Sequence, residues 1–451
     1  MKPLLFCGKV ALLLCAFAMV LLPSCKDDAV PGIETLANDF SSKVVQDYME
    51  LMAVLSKETI GAFPPVVARA YAYTGLALYE SMVPGMPENN SFAGHISGLT
   101  ADQIPDAEAG EYHWGVVANA VLAAMLRDCY SGATAENLAA IDALEASYRH
   151  DIFAAEADES VLARSEAHGK AVAMAMLAYA TLDGQADCFN TNFPTSYAAP
   201  VGPGLWRPTP PLFALALQPY WGDVRPFLTR NITEELAPPP PNYSTDPGSE
   251  FWQQVMEVYN TVTNLTPEER VIANYWSDDP GKSATPAGHS LSILRQVLGL
   301  EQSNLAVSAE AFALMTLAIH DGFISCWETK YTYNLVRPIT VIQTQIDGAF
   351  TIPLPTPPFP EYTSGHSVQS GAAAKVLTEM FGDNYAFTDY TQVNRTDIDG
   401  TPRSFASFYA FADEAARSRL YGGIHFRSAI DEGIAQGLGV GENIMALPYR
   451  K

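Results

Sequence analysis

Hydrophobic residues recur about every 3.6 positions along most of this chain, in segments rich in alanine and leucine, and that period predicts helices. Clusters of proline and glycine separate the segments, most clearly at 199–211 and 237–248. The alternating β-branched runs of a sheet are missing from the sequence. The predicted helices are 36–57, 65–82, 113–130, 135–155, 161–181, 247–263, 267–276, 290–298, 308–336, 368–380, 404–421 and 425–444.

The hydrophobic pattern therefore predicts an all-α fold built from helical bundles. Four consecutive prolines at 238–241 separate two helix-rich parts, and we expect an N-terminal half at 35–240 and a C-terminal half at 241–451, each like a four-helix bundle. A chain of 451 residues, 48% of them hydrophobic, can bury one large core or two medium ones.

The first 24 residues have the pattern of an export signal. A short positive start precedes an apolar run at 10–22, which is shorter than the about 20 residues that span a bilayer. Cys25 follows Leu-Pro-Ser and resembles the lipid-acceptor cysteine of bacterial lipoproteins, and 25–34 would be a tether. We expect an exported protein that is lipid-anchored to the bacterial outer membrane, on its periplasmic or cell-surface side. Ordinary signal cleavage that leaves a free cysteine is the alternative.

The formal net charge of −24 argues against nucleic acid as a partner, and it leaves the lipid at Cys25 as the only expected contact with a membrane. Cys129 and Cys188 could form a disulfide in an oxidising compartment, but the sequence does not decide whether they pair. The sequence has neither a Cys-x2-Cys pair nor a His-Glu-x2-His motif, so zinc has little support.

Three short motifs in the last third of the chain contain five cationic or ionisable side chains. They are Lys-x6-Arg-Pro at 330–338, Ser-Gly-His at 364–366 and Arg-x5-His at 419–425. So many cations in so acidic a chain are hard to explain as a solvated surface. Arginine binds oxyanion oxygens with two parallel hydrogen bonds, and lysine adds a point charge. The motifs therefore predict a pocket for a tetrahedral or trigonal-bipyramidal oxyanion.

The spacing of each motif predicts its local structure. Lys330 and Arg337 are seven positions apart, which places them on one face of a helix that Pro338 should end just after Arg337. The Ser-Gly-His segment at 364–366 lies between a proline-rich run and an alanine-rich helix. We expect it to form a helix N-terminus with free N–H groups for an anion. A glycine pair precedes His425, which we expect to open the last helix.

These motifs resemble those of the vanadium-dependent haloperoxidases and of the type 2 phosphatidic acid phosphatases that share their anion pocket. The family pattern is Lys-x6-Arg-Pro, Pro-Ser-Gly-His and Ser-Arg-x5-His, and Thr363 replaces its proline here. Further segments after about residue 40 resemble those of secreted bacterial haloperoxidases, and the most similar type is the bacterial vanadium iodoperoxidase. The resemblance implies a helical fold of the haloperoxidase type with vanadate as cofactor. It implies that the residues holding vanadate are Lys330, Arg337, Ser364, Gly365, His366 and Arg419.

The resemblance also implies a role for each catalytic group. His425 would be the apical metal ligand, His366 the acid–base residue, and Lys330 the group that stabilises developing charge. Trp327 and Phe359 would form the wall of a halide site, unless they are ordinary core aromatics. We expect hydrogen peroxide and halide as substrates, with iodide preferred, bromide weakly oxidised and chloride hardly at all. A small organic acceptor is a further possible partner.

Two other functions stay open from the sequence. In the phosphatase branch, His425 would be a nucleophile and His366 would protonate the leaving alcohol. That branch often has an aspartate four residues after the last histidine, whereas this chain has Ala429 there and Asp431 as the nearest acid. A non-catalytic oxyanion-binding lipoprotein is the other alternative, although capture alone does not need paired histidines.

Four residues outside the motifs are further candidates, given only by resemblance. His289 and His320 are expected to lie in the core or behind the site rather than to bind the cofactor. Asp278 or Asp279 could form an ion pair with an active-site arginine.

Overall fold

The computed structural model describes residues 33–451, and the predicted signal at 1–24 and Cys25 lie outside the described residues. Within that range the chain forms fourteen α-helices and one short antiparallel pair of strands, so the all-α prediction is confirmed.

The helices before residue 240 are α1 (Lys43–Glu58), α2 (Pro64–Met82), α3 (Trp114–Cys129), α4 (Ala135–Ala146), α5 (Glu159–Ala180) and α6 (Arg230–Thr233). Those that follow are α7 (Glu250–Thr263), α8 (Pro267–Tyr275), α9 (Thr285–Leu300), α10 (Leu305–Tyr333), α11 (Pro338–Gln345), α12 (Gly365–Phe381), α13 (Phe408–Tyr421) and α14 (Arg427–Met445). Strands β1 (Phe387–Asp389) and β2 (Arg403–Phe405) pair with Thr388 opposite Ser404.

Each of the twelve predicted helices overlaps an observed one, and the differences lie mainly at the ends. The predicted helix 404–421 begins only at Phe408, because residues 403–405 pair with β1 instead. The last helix begins at Arg427, so His425 lies just before it rather than inside it. The two helices that the pattern missed, α6 and α11, are only four and eight residues long.

The prediction that Lys330 and Arg337 share one helix face was wrong. Helix α10 ends at Tyr333, because Asn334 adopts a left-handed conformation with φ of 48°. Arg337 is then the N-cap residue of α11, and Pro338 is its first helical residue. At that first position the backbone N–H has no partner within the helix, so the N–H that proline lacks costs nothing. Lys330 and Arg337 therefore enter the site from the end of one helix and the start of the next.

Helix α10 is the centre of the molecule. It packs against α2, α12 and α14, and the largest hydrophobic cluster around it takes side chains from both sides of residue 240. By length and composition α10 could cross a membrane, but 94% of its most apolar window is buried inside the protein. This burial identifies it as a core helix, and its C-terminal end contains Trp327 and Lys330.

Within residues 33–451, Cys129, Cys188 and Cys326 are all free thiols. The disulfide that the sequence left open between Cys129 and Cys188 is therefore not formed in this structure.

Candidate active site

The three cationic motifs converge at one end of the helical core. A cavity of about 190 Å³ opens there between the proline-rich segment before α12 and the segment that joins α8 to α9. Of the predicted site residues, its lining contains Trp327, Phe359, Gly365, His366, Arg419 and His425. The other three, Lys330, Arg337 and Ser364, are fully buried behind this lining.

The imidazole ring of His425 lies between the carboxylate of Glu361 and the guanidinium of Arg337. Gly423 turns the chain after α13 with φ of 74°, where a Cβ atom would lie 2.7 Å from Ile352, so only glycine fits. The imidazole Nδ1 of His425 lies 2.9 Å from Oε1 of Glu361, and its Nε2 lies 3.2 Å from Nη1 of Arg337. Because a guanidinium can only donate, Nε2 is the acceptor nitrogen and Nδ1 carries the proton.

The two arginines keep part of their donor capacity free. Arg337 donates from Nε to the carbonyl of Phe359 at 2.9 Å and from Nη1 to that of Ile424 at 2.8 Å. Arg419 donates from Nη1 to the carbonyl of Trp276 at 2.6 Å. In the part of the chain that the structure describes, Nη2 of Arg337 and Nε of Arg419 are buried without a partner. Such unpaired buried donors are costly unless a ligand accepts from them.

Lys330 braces the loop that leads into α12. Its ammonium group donates to the carbonyls of Pro360 and Glu361 at 3.1 and 3.0 Å, and also to that of Thr363. These contacts use all three N–H groups of the ammonium. Lys330 would therefore have to exchange one carbonyl for a cofactor oxygen before it could bind the cofactor directly.

The Ser-Gly-His segment forms a helix N-terminus, as its sequence predicts. Ser364 is the N-cap residue of α12, and its hydroxyl accepts from the backbone N–H of Ser367 at 3.3 Å. The backbone N–H of Ser364 itself donates to the carbonyl of Ala429 at 2.9 Å. The N–H groups of Gly365 and His366 lie in the first turn, where a helix offers no internal acceptor and its dipole favours an anion.

Thr363, which replaces the proline of the family pattern, has a defined role in the loop. Its hydroxyl donates to Oε1 of Gln436 on α14 at 2.6 Å, and its carbonyl accepts from Lys330. The replacement of proline by Thr363 therefore adds a hydrogen bond between the loop at 360–363 and α14.

His366 lies beside a buried network of carboxylates and a histidine that the sequence motifs did not predict. Its Nε2 is 3.9 Å from Oδ2 of Asp278. Asp278 accepts at 3.0 Å from Nδ1 of His289, whose Nε2 lies 2.8 Å from Oδ2 of Asp389. The ring of His289 stacks on Trp276 at 4.3 Å between centroids. His289 thus lies behind the site, as expected. Among residues 33–451, no ion pair of 4.0 Å or less joins Asp278 or Asp279 to Arg419, so that pairing was not found.

Trp327 and Phe359 form one wall of the cavity. Their ring centroids are 4.9 Å apart, and the Nζ atom of Lys330 lies 5.0 Å from the centre of the Phe359 ring. A Cβ atom on Gly365 would stand 3.5 Å from the Trp327 ring, so the glycine leaves this wall uncovered. An apolar wall beside buried cations would suit a large, weakly hydrated anion.

Burial controls the protonation of this site. It lowers the pKa of Lys330 to about 8, and it lowers those of Arg337 and Arg419 to about 10. Burial together with the nearby arginines lowers the pKa of both His366 and His425 well below the usual value. Both histidines are therefore neutral at pH 7, as a metal ligand and a proton acceptor must be.

Comparison with known proteins gives one consistent result. A family model described as the VCPO second helical-bundle domain matches residues 310–352 and 345–448. The crystal structure of a bacterial vanadium-dependent iodoperoxidase superposes with a TM-score of 0.81 and 34% sequence identity, over 92% of this chain and 98% of that chain. The chain belongs to the vanadium-dependent haloperoxidases.

Two more distant structures share the fold of this haloperoxidase. They are the holo and apo forms of a bacterial vanadium-dependent chloroperoxidase, with TM-scores of 0.60 and 0.59 and identities of 17% and 16%. The matches cover 85% and 84% of this chain and 92% of each of those chains. No curated protein sequence matches the chain.

The cofactor of this family, vanadate, fits the residues that are present. Three buried polar atoms of the site residues have no hydrogen-bond partner among the described residues: Nη2 of Arg337, Nε of Arg419 and Nε2 of His366. Two of them are cationic donors, and the α12 N-terminus adds backbone donors beside them. The Nε2 lone pair of His425 would complete the set that an oxyanion with a metal centre requires, once it exchanges the Arg337 donor at 3.2 Å for the metal.

The haloperoxidase motifs did not reveal two features of this site. Glu361 is the only acidic residue between Asp347 and Glu379, and its place three residues before Ser364 was the available signal. The contact of Asp278 with His289 and Asp389 joins segments distant in sequence, so only the fold reveals it. His320, by contrast, is a core residue: within residues 33–451 neither ring nitrogen has a partner, and Tyr73, Trp221 and Phe227 surround it.

Proposed function

We propose that this haloperoxidase uses hydrogen peroxide to oxidise halide to hypohalous acid, with iodide as its preferred halide. The observation that carries the proposal is the likeness to a bacterial iodoperoxidase over nearly the whole chain, together with an anion pocket in which every motif residue except the proline at Thr363 is present. Membership of the family supports vanadate as the cofactor, and the unpaired donors of Arg337 and Arg419 support its place.

Bound vanadate supplies a Lewis acid that activates hydrogen peroxide toward attack by a halide. The protein supplies the rest. His425 offers the Nε2 lone pair, Arg337 and Arg419 neutralise oxyanion charge, and the α12 N-terminus adds backbone N–H groups. Neutral His366 accepts a proton from the incoming peroxide at Nε2 and returns it to the departing water. Lys330 holds the loop at 360–363 in place and adds positive charge behind it.

Iodide preference rests on the cavity and on the surface. Iodide is the halide that is easiest to oxidise, and the wall of Trp327 and Phe359 offers it an apolar contact. The net charge of −24 gives no long-range attraction for a small anion that is harder to dehydrate. A small organic acceptor for the hypohalous acid remains a further proposal, with the apolar mouth around Leu212 and Phe63 as its place.

A phosphatase is the second candidate, because the structure weakens the sequence argument that the chain lacks an acidic partner for His425. Ala429 replaces the aspartate of the phosphatase pattern, but Glu361 supplies a carboxylate to His425 from a different segment. The same geometry would also support a nucleophilic histidine.

Assaying both activities on one preparation tests the proposal. We expect peroxide-dependent iodide oxidation with vanadate, and little hydrolysis of p-nitrophenyl phosphate without it. Fast phosphate-ester hydrolysis with no halide oxidation would select the phosphatase instead.

We also propose that the protein is exported and anchored by a lipid on Cys25, which rests on the sequence of 1–34 alone. Metabolic labelling with a radioactive fatty acid should mark the wild type and not a Cys25→Ser variant. Labelling of both would remove the proposal.

A further inference from the structure

Glu361 is a fully buried carboxylate that contacts the predicted metal ligand. Its Oε1 accepts from Nδ1 of His425 at 2.9 Å and from the backbone N–H of Phe426 at 2.8 Å. One oxygen atom therefore fixes both the ring of His425 and the backbone of the next residue.

Glu361 does not act as a direct counter-ion of the pocket cations. Within residues 33–451 its only ion-pair contact is with His425, and its second oxygen, Oε2, is buried without a partner. Burial raises the pKa of Glu361 to about 7, and whenever this carboxylate is ionised it opposes anion binding at the neighbouring site electrostatically. Its presence therefore calls for a compensating role, and the contact with His425 offers one.

We propose that Glu361 is the positioning residue that makes His425 a metal ligand. By accepting the Nδ1 proton, it fixes the tautomer whose Nε2 lone pair faces the pocket and raises the basicity of that nitrogen. In this structure Nη1 of Arg337 donates to that Nε2 at 3.2 Å, and this donor would give way to vanadium, so the contact with Glu361 is the one that keeps the tautomer when the metal is bound. The assignment rests on the proposed function, because it presumes that His425 binds vanadium.

The role of Glu361 predicts different effects on two related anions. Vanadate and phosphate need the same cations and the same N–H groups, but only vanadate forms a bond to His425. Loss of the Glu361 carboxylate should therefore weaken vanadate binding, while phosphate binding should change little, or improve at a pH where the carboxylate is ionised.

The experiment measures the affinity of the metal-free protein for vanadate and for inorganic phosphate by calorimetry. The variants are Glu361→Leu, which removes the acceptor, and Glu361→Gln, which keeps a carbonyl oxygen able to accept from Nδ1. Glu80→Gln is the matched control, because Glu80 is equally buried but bonds Ser91 and Phe92 instead. ¹⁵N-histidine NMR of the same metal-free proteins reports the tautomer of His425, with His425→Ala used for assignment.

We expect Glu361→Leu to lose about 10- to 100-fold in vanadate affinity, to keep phosphate affinity within about threefold, and to lose the Nδ1–H tautomer. Glu361→Gln should restore the tautomer and most of the vanadate affinity. The assignment is overturned if Glu361→Leu binds vanadate like the wild type, or if it loses both anions equally.

The wild type alone provides a test if Glu361→Leu does not fold. An Nε2–H tautomer in the wild-type spectrum would overturn the assignment. A protein with the Nδ1–H tautomer and tight vanadate binding that oxidises no halide would instead remove the proposed function and leave this assignment standing.

Discussion

The chemistry of the site depends on the few polar atoms that are left without a hydrogen-bond partner. Among residues 33–451, Arg337, Arg419 and His366 each keep a buried nitrogen without a partner, whereas Lys330 uses all its N–H groups on backbone carbonyls. The sequence motifs identified all four residues but could not distinguish the free donors from the occupied ones. That distinction depends on the path of the loop at 360–363, which spacing does not specify.

Replacing His425 with alanine should reduce vanadate affinity at least about tenfold, which is about 1.4 kcal/mol, because a direct ligand is lost. Phosphate affinity should change much less, since Arg337 and Arg419 remain. Equilibrium dialysis against each anion measures both effects, and His95→Ala, at an exposed position, is the control. Unchanged vanadate affinity would remove His425 as the ligand.

The buried histidine behind the site predicts a pH-dependent stability. Burial opposes protonation of His289, but Asp278 and Asp389 outweigh it and raise its pKa to about 10. A group whose pKa is raised on folding stabilises the protein fully below its unfolded pKa of about 6.5, and that contribution is lost as the pH rises through about 10. The stability advantage of the wild type over His289→Gln should therefore shrink between pH 6.5 and 10, by at most about 1.4 kcal/mol per pH unit.

Urea unfolding of both proteins at pH 6.5, 8 and 9.5 measures this change, with His95→Gln as the exposed control. An advantage that is constant over this range would mean that His289 is neutral in the folded protein.

At the scale of elements, helix ends build the site. The C-terminal end of α10, the N-termini of α11, α12 and α14, and the end of α13 all meet there. Hydrophobic periodicity predicted the long helices well because their buried faces are regular. It failed at Asn334 and Pro338, where a left-handed residue and an N-terminal proline determine the chain path, and at Ser404, where strand pairing outcompetes helix formation.

The aromatic wall at the end of α10 predicts halide selectivity. Iodide should be oxidised fastest, bromide weakly and chloride hardly at all. Phe359→Ala and Trp327→Ala should lower kcat/KM for iodide more than Phe213→Ala, whose ring is 61% exposed outside the wall. Steady-state kinetics with each halide at saturating peroxide measure this ranking. Equal rates with chloride would refute the ranking, and unchanged iodide kinetics would make both rings plain core residues.

At the scale of the whole molecule, a cationic pocket lies inside an acidic protein. The composition predicted the acidic character of the protein. The three motifs predicted the pocket, because an anion site needs only a few residues of fixed type. The division at residue 240 stays a prediction, and the largest core cluster draws on both sides of it. Long-range contacts such as those of Glu361 with His425 and of Asp278 with His289 could not be predicted from one sequence, since they depend on helix packing.

The central claim is that the converged motifs form one vanadate-dependent oxidation site. Its most direct test is the titration of metal-free protein with orthovanadate at fixed peroxide and iodide. We predict that activity rises from near zero, saturates at one vanadate per chain, and is inhibited competitively by phosphate. Vanadate that binds at one per chain without any iodide oxidation, or iodide oxidation that needs no vanadate, would contradict the account.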